Sequence, residues 1–226
     1  RDAPAWVRGD REVLLAAVER GGCALEFASA ELRADKALVL AAARQSAAAL
    51  RYAAPDLCAD RAFIYDVLRQ NGLALGYLSW ELRSDRNVVL AAVQEDGAAF
   101  QYASKELRGE PGFALEAARW GEAALEHAAE ALWEDPDFVL AAAEISARAF
   151  DLSAAEPWHD REFVLKAVRR QACALDFAVE ELIDDPEFIL DAVDCNPKAL
   201  DFVPAPRHPP AAAGAAQARV EVADEA

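Results

Sequence analysis

The chain has 226 residues, with 40 acidic against 23 basic side chains, a formal net charge of −17 and 54% hydrophobic residues, much of that alanine. So acidic a chain is repelled by phosphate backbones and anionic headgroups, which excludes nucleic acid and lipid surfaces as partners and leaves other protein, basic surfaces included. No apolar run approaches the roughly 20 residues that span a bilayer and no signal peptide is visible, so direct membrane insertion is not expected and the protein should be soluble.

In chain order, residues 1–9 align with the end of a preceding repeat, Ala3, Val7 and Arg8 matching Ala28, Leu32 and Arg33. With no methionine anywhere, the chain reads as a processed product or an excerpt. Eight tandem units of 25 residues then start at Asp10, Asp35, Asp60, Asp85, Glu110, Asp135, Asp160 and Asp185, without insertion. A period of this size means stacked supersecondary units, each too small to bury its apolar face alone. The spacing predicts an all-α fold, an α-solenoid of eight 25-residue helix-turn-helix repeats over residues 10–209. Pro204, Pro206, Pro209 and Pro210 stop the last helix, and 210–226 is a low-complexity Ala-rich tail.

With each unit's first acid as position 0, that acid is an N-cap followed by Arg, Lys or Pro, and apolar residues at positions 3, 4, 5, 7 and 8 form a helical stripe, helix A. Small and polar pairs end it, Gly21-Gly22, Asn71-Gly72, Asp96-Gly97 and Asn196-Pro197, which read as helix C-caps. Helix B carries alanine at position 14 in all eight units, from Ala24 to Ala199, and position 7 is alanine in seven, so the two helices approach closely at these columns. Leu or Phe at position 15, a mostly aromatic position 17 (Phe27, Tyr52, Tyr77, Tyr102, Phe177, Phe202) and Leu at 22 are read as core. Position 21 is acidic in six units; Glu31 with Lys36 and Glu81 with Arg86 suggest a junction ion pair or a second cap.

A unit such as Asp10 to Ala34, with its D-x-E-V-L-L-x-A-V and G-x-A-L-x-F-A-S-x-E-L stretches, resembles the tandem helical repeat family catalogued as domain of unknown function forty-one-sixteen, and the likeness covers residue 10 to about 203. The resemblance implies a repeat fold and no activity, cofactor or site residue. His127 in the aromatic column, Pro157 in the leucine column and Pro206-Arg207 depart from the pattern.

Chemistry has little to stand on. There is no phosphate-binding glycine loop, nucleophile elbow or HExxH; His127, His159 and His208 have no nucleophile to pair with; and no metal or cofactor is expected. Cys23, Cys58, Cys173 and Cys195 form no metal-ligand spacing or disulfide framework and read as buried or incidental thiols of a reducing compartment, cytosol or organelle stroma or matrix. Departures from the repeat are where function is sought. Trp120, Trp133 and Trp158, with His127 and His159, are candidate protein-binding residues. Trp133 and Trp158 share position 23 with Arg33, Arg83 and Arg108, a column read as solvent-facing, and two exposed tryptophans one repeat apart would anchor a partner. Glu26, Glu126, Asp151, Asp176 and Asp201 at position 16 form a candidate acidic face. Two functions follow. One is a non-enzymatic scaffold, an accessory or linker subunit docking onto a larger assembly, with organellar, photosynthetic or respiratory complexes among the settings it fits. The other is a transient recognition module binding basic segments through the acidic face.

Overall fold

A computed structural model describes residues 8–203, so most of the preceding-repeat end and the Ala-rich tail lie outside the described residues. Among the described residues, regular structure is helical throughout. The chain divides into two compact units, Arg1–Ala154 and Ala155–Ala226, and the division falls inside the sixth repeat.

In the first unit the A helices are Arg11–Arg20, Lys36–Gln45, Arg61–Gln70, Arg86–Glu95, Pro111–Trp120 and Pro136–Ala143. Their starts follow from the sequence. Asp10, Asp35, Asp60, Asp85 and Asp135 each accept a hydrogen bond from a first-turn backbone N–H, for example Leu38 N to Asp35 Oδ1 at 3.0 Å. Glu110 has one more methylene and does not cap; both its oxygens accept from Arg86 Nη1, at 2.6 and 2.7 Å.

Helix B is not one α-helix. It is a 3₁₀ hexapeptide, Gly22–Phe27, Ala47–Tyr52, Gly72–Tyr77, Gly97–Tyr102 and Glu122–His127, followed by a short helical turn such as Ala30–Arg33 or Lys105–Arg108. Position 18 turns extended, as at Ala28 with φ −67° and ψ 152°, which ends the hexapeptide. The next N–H then leaves its own repeat and donates to the preceding one: Ser29 to the Arg8 carbonyl at 2.8 Å, Ala54 to Arg33 at 2.9 Å, Ser104 to Arg83 at 2.9 Å, Ala129 to Arg108 at 3.0 Å and Ala154 to Trp133 at 3.1 Å. A bond between repeats replaces one within the helix, which satisfies the same donor.

The glycine and asparagine caps also differ from a left-handed helix end. Gly21, Asn71 and Asp96 are extended, with no positive φ among the described residues, and each starts the 3₁₀ hexapeptide directly. Glycine at position 12 serves approach instead: a Cβ on Gly22 or Gly72 would lie 2.4 Å from the carbonyl oxygen of Ala42 or Ala92 in the next repeat.

Packing bears out the alanine columns. Ala49, Ala74, Ala99, Ala124 and Ala149 are wholly buried, as are Ala42, Ala92, Ala117 and Ala142, so no larger side chain fits between the helices. Leu25, Leu50, Leu75, Phe100, Leu125 and Phe150 at position 15 fill the space beside them. The aromatic column is a correction: Phe27, Tyr52 and Tyr102 are half-buried and Tyr77 is exposed, because position 17 ends the hexapeptide where its packing face runs out.

Across the first four junctions runs a ladder of charges, which ends where Pro111 replaces the cation. Arg11 donates to Asp35 (2.7 Å), Lys36 to Asp60 (2.5 Å), Arg61 to Asp85, and Arg86 to Glu110. The expected pairs Glu31 with Lys36 and Glu81 with Arg86 therefore do not form, since both cations reach forward to the next repeat. Glu31, Glu81 and Glu106 are second caps, their carboxyls held below the usual range by their own backbone N–H groups and by the Ser29, Ser79 and Ser104 hydroxyls.

The second unit repeats the plan, with Arg161–Arg170 and Pro186–Cys195 as A helices and Ala172–Phe177 and Pro197–Phe202 as 3₁₀ hexapeptides. Val179 N–H donates to the Trp158 carbonyl at 3.4 Å, and Arg161 donates to Asp185 at 2.8 Å and Asp191 at 2.7 Å. At its last repeat Leu200, in a column otherwise buried, is 64% exposed.

Candidate functional site

Position 23 faces inward, which overturns the reading of Trp133 and Trp158 as exposed anchors. They are 7% and 4% exposed. Within each unit the ring meets the position-3 phenylalanine of the following A helix edge-on, Trp133 against Phe138 at 5.1 Å and Trp158 against Phe163 at 5.2 Å; Trp158 also stacks on Phe177 at 5.1 Å. The arginines that mark this column as polar are half-buried: Arg33 Nη2 donates to the Glu26 carbonyl at 2.6 Å and Arg108 Nη1 to the His127 carbonyl at 3.4 Å. An arginine and a tryptophan both suit this half-buried column, because each joins an apolar stem or ring to a polar N–H end.

Trp120, in contrast, is 58% exposed at the end of its A helix. His127 is half-buried, and His159 is exposed with Nδ1 3.3 Å from the Glu156 carbonyl oxygen. In the first unit Trp120 is exposed where Trp133 is buried, and in the second His159 is exposed where Trp158 is buried. Nor is the acidic column continuous. In the first unit Glu26, Glu126 and Asp151 are separated by Arg51, Gly76 and Gln101; Glu26 accepts from the Tyr52 hydroxyl at 3.4 Å, and Arg148 neutralises Glu126 at 2.7 Å. Asp151 is exposed, and so in the second unit are Asp176 and Asp201.

Sequence reasoning missed Trp80, 63% exposed on the short helix Trp80–Arg83. The signal was present: position 20 otherwise holds Ala30, Pro55, Lys105, Glu130, Ala155 and Glu180, so a tryptophan there is as much an outlier as those examined. Tyr77, three residues earlier, is 37% exposed, and Arg51 lies over its ring at 5.0 Å. A cleft of about 420 Å³ is lined by Pro55, Cys58, Ala59, Arg61, Ser79 and Leu82, the last two on either side of Trp80 in sequence. Burial pushes the Cys58 thiol up, so it stays protonated and offers a weakly polar wall. The cysteines are less hidden than expected, Cys23 being exposed and the other three half-buried, none in a disulfide.

Among the described residues no group of three or more His, Cys, Asp or Glu side chains could hold a metal ion, and no helix is long and apolar enough to cross a membrane. The exposed aromatic rings of the first unit are Tyr77, Trp80 and Trp120 among the described residues. In comparison with known proteins, the family described as Domain of unknown function (DUF4116) matches the chain three times, over residues 10–58, 60–108 and 160–206. No curated protein and no solved structure matches.

Proposed function

The chain belongs to the family described as Domain of unknown function (DUF4116), and from that premise we propose that it is a non-enzymatic protein-interaction scaffold, an accessory or linker subunit that docks onto a larger assembly. The supporting observation is that Trp80 and Trp120 stand 63% and 58% exposed on a framework whose other large apolar groups are mostly buried. Stacked repeats hold such rings in place at little further entropic cost, and tryptophan is the residue type most enriched at interface hot spots. The test is native size in extract from the source, by gel filtration with mass spectrometry of co-eluting chains at physiological salt. Co-elution with other chains in fixed ratio supports the scaffold; migration alone near 24.4 kDa removes it.

A second reading has its own support. Asp151, Asp176 and Asp201 are exposed, in a chain of net charge −17, and suit transient capture of a basic segment. Salt separates the two, because binding through carboxylates weakens steeply with ionic strength and docking through indole rings does not.

A further inference from the structure

Among the described residues, the junction between the second and third repeats lacks a backbone bond that six other junctions carry. Position 19 donates to the position-23 carbonyl of the preceding repeat at Ser29, Ala54, Ser104, Ala129, Ala154 and Val179, but among the described residues the equivalent bond from Ser79 to Cys58 is missing. The cleft of about 420 Å³ lies at this place, with Cys58 on one wall and Ser79 and Leu82 on the other. The Ser79 hydroxyl bonds the Glu81 carboxyl but accepts from no backbone N–H of its helix, unlike Ser29 and Ser104, and Ser79 is exposed. Tyr77 and Trp80, two of the chain's exposed aromatics, flank Ser79 in sequence. A missing bond and a cleft thus coincide at one junction, whose Ser79 has two exposed aromatic residues as sequence neighbours.

We propose that this cleft is a docking site for an extended segment of a partner protein that carries an apolar side chain next to a lysine or arginine. The inference rests on the scaffold reading and names its binding site. The Ser79 N–H is a backbone donor left without a protein acceptor, and the carbonyl of an extended peptide is the group that completes such a ladder. Pro55, Ala59 and Leu82 give the cleft apolar walls, and its volume lies in the range of ligand sites, roughly 300–1,000 Å³. Charge selects the rest of the segment. Arg61, the cation lining the cleft, is already paired with Asp85, while the exposed Asp56 and Glu81 lie on the two short helices that border it. An acidic partner would be repelled, and a basic one attracted.

The experiment selects short peptides from a randomised phage-displayed library on the full chain. Cys58→Trp closes the cleft, and position 23 already accommodates a buried tryptophan in Trp133 and Trp158. Ser79→Pro removes the N–H donor at a backbone position, φ −64° and ψ 161°, that proline adopts without strain, and serves if the first variant fails to fold. Selected peptides are expected to combine apolar and basic residues, to shift the Ser79 amide resonance and slow its hydrogen exchange, and to lose at least about tenfold in affinity with either folded variant. Absence of enrichment, or peptides that bind the Cys58→Trp chain as tightly as the wild type, would overturn the site. In that case co-elution of both chains with the same partners leaves the scaffold reading standing on another surface; a wild-type chain that co-elutes with nothing removes that reading itself.

Discussion

Asp35 joins two functions in one carboxylate, and separating them tests how the stack is held. Oδ1 accepts the Leu38 N–H at 3.0 Å and caps its helix, while Oδ2 accepts Arg11 Nε of the preceding repeat at 2.7 Å. Asp35→Asn keeps an excellent cap and discards the charge; Asp35→Ala discards both. Loss of a cap costs about 1 kcal/mol. The ion pair at this quarter-exposed carboxylate adds about 0.5 kcal/mol, as half-exposed pairs do. Asp35→Ala is therefore expected to destabilise the first unit by about 1.5 kcal/mol and Asp35→Asn by about 0.5 kcal/mol, read from urea unfolding followed by far-ultraviolet circular dichroism. Acid gives an independent check. The Arg11 guanidinium, then the Leu38 N–H, hold the Asp35 carboxyl below its ordinary range. A folded pKa below the unfolded one gives stability that is complete above the unfolded value of about 4 and is lost as pH falls through the folded value. The gap between wild type and Asp35→Asn should close in that acid window, and high salt should narrow it at neutral pH. Equal destabilisation by Asn and Ala would refute the cap argument, and a neutral Asp35→Ala would refute the view that junction acids hold the stack.

Other contrasts follow from burial. Trp158→Ala is expected to cost about 3–5 kcal/mol and Trp120→Ala no more than about 0.5 kcal/mol, so thermal melts of the two variants would separate the buried ring from the exposed one. Gly72→Ala places a Cβ 2.4 Å from the Ala92 carbonyl oxygen and should destabilise by about 1–3 kcal/mol, whereas Gly112, in a helix with nothing within 4 Å, should gain about 0.5–1 kcal/mol as alanine; melting temperatures that rank the other way would defeat the close-approach argument. In the position-15 column Leu175→Ala is expected to cost about 2–5 kcal/mol and Leu200→Ala under about 0.5 kcal/mol; equal losses in urea titration would show that something covers Leu200.

Much was legible in the residues, for reasons local to them. A period of 25, an N-cap acid opening each unit, and invariant alanine at position 14 are consequences of short-range chemistry, and the caps at Asp10, Asp35, Asp60 and Asp85 and the buried Ala74 and Ala99 follow it. Outlier reasoning was sound in kind and uneven in reach. It picked Trp133 and Trp158, which are buried, and passed over Trp80, which is not.

The errors share a cause. Whether an arginine marks a wet column depends on where its aliphatic stem lies, and at position 23 that is settled by packing against the following A helix, where Phe138 and Phe163, five residues on, receive the Trp133 and Trp158 rings within their own units. Likewise the cations after each cap could pair within their repeat or reach forward; only stacking brings Lys36 to Asp60 and leaves Glu31 to its own helix end. The sequence by itself determined the A helices, their starts and the spacing of the stack, because capping and periodicity act over a few residues. Only the tertiary structure decided which columns are dry, which charges meet and where the stack gapes at Ser79, because each depends on surfaces that exist once neighbouring repeats have packed.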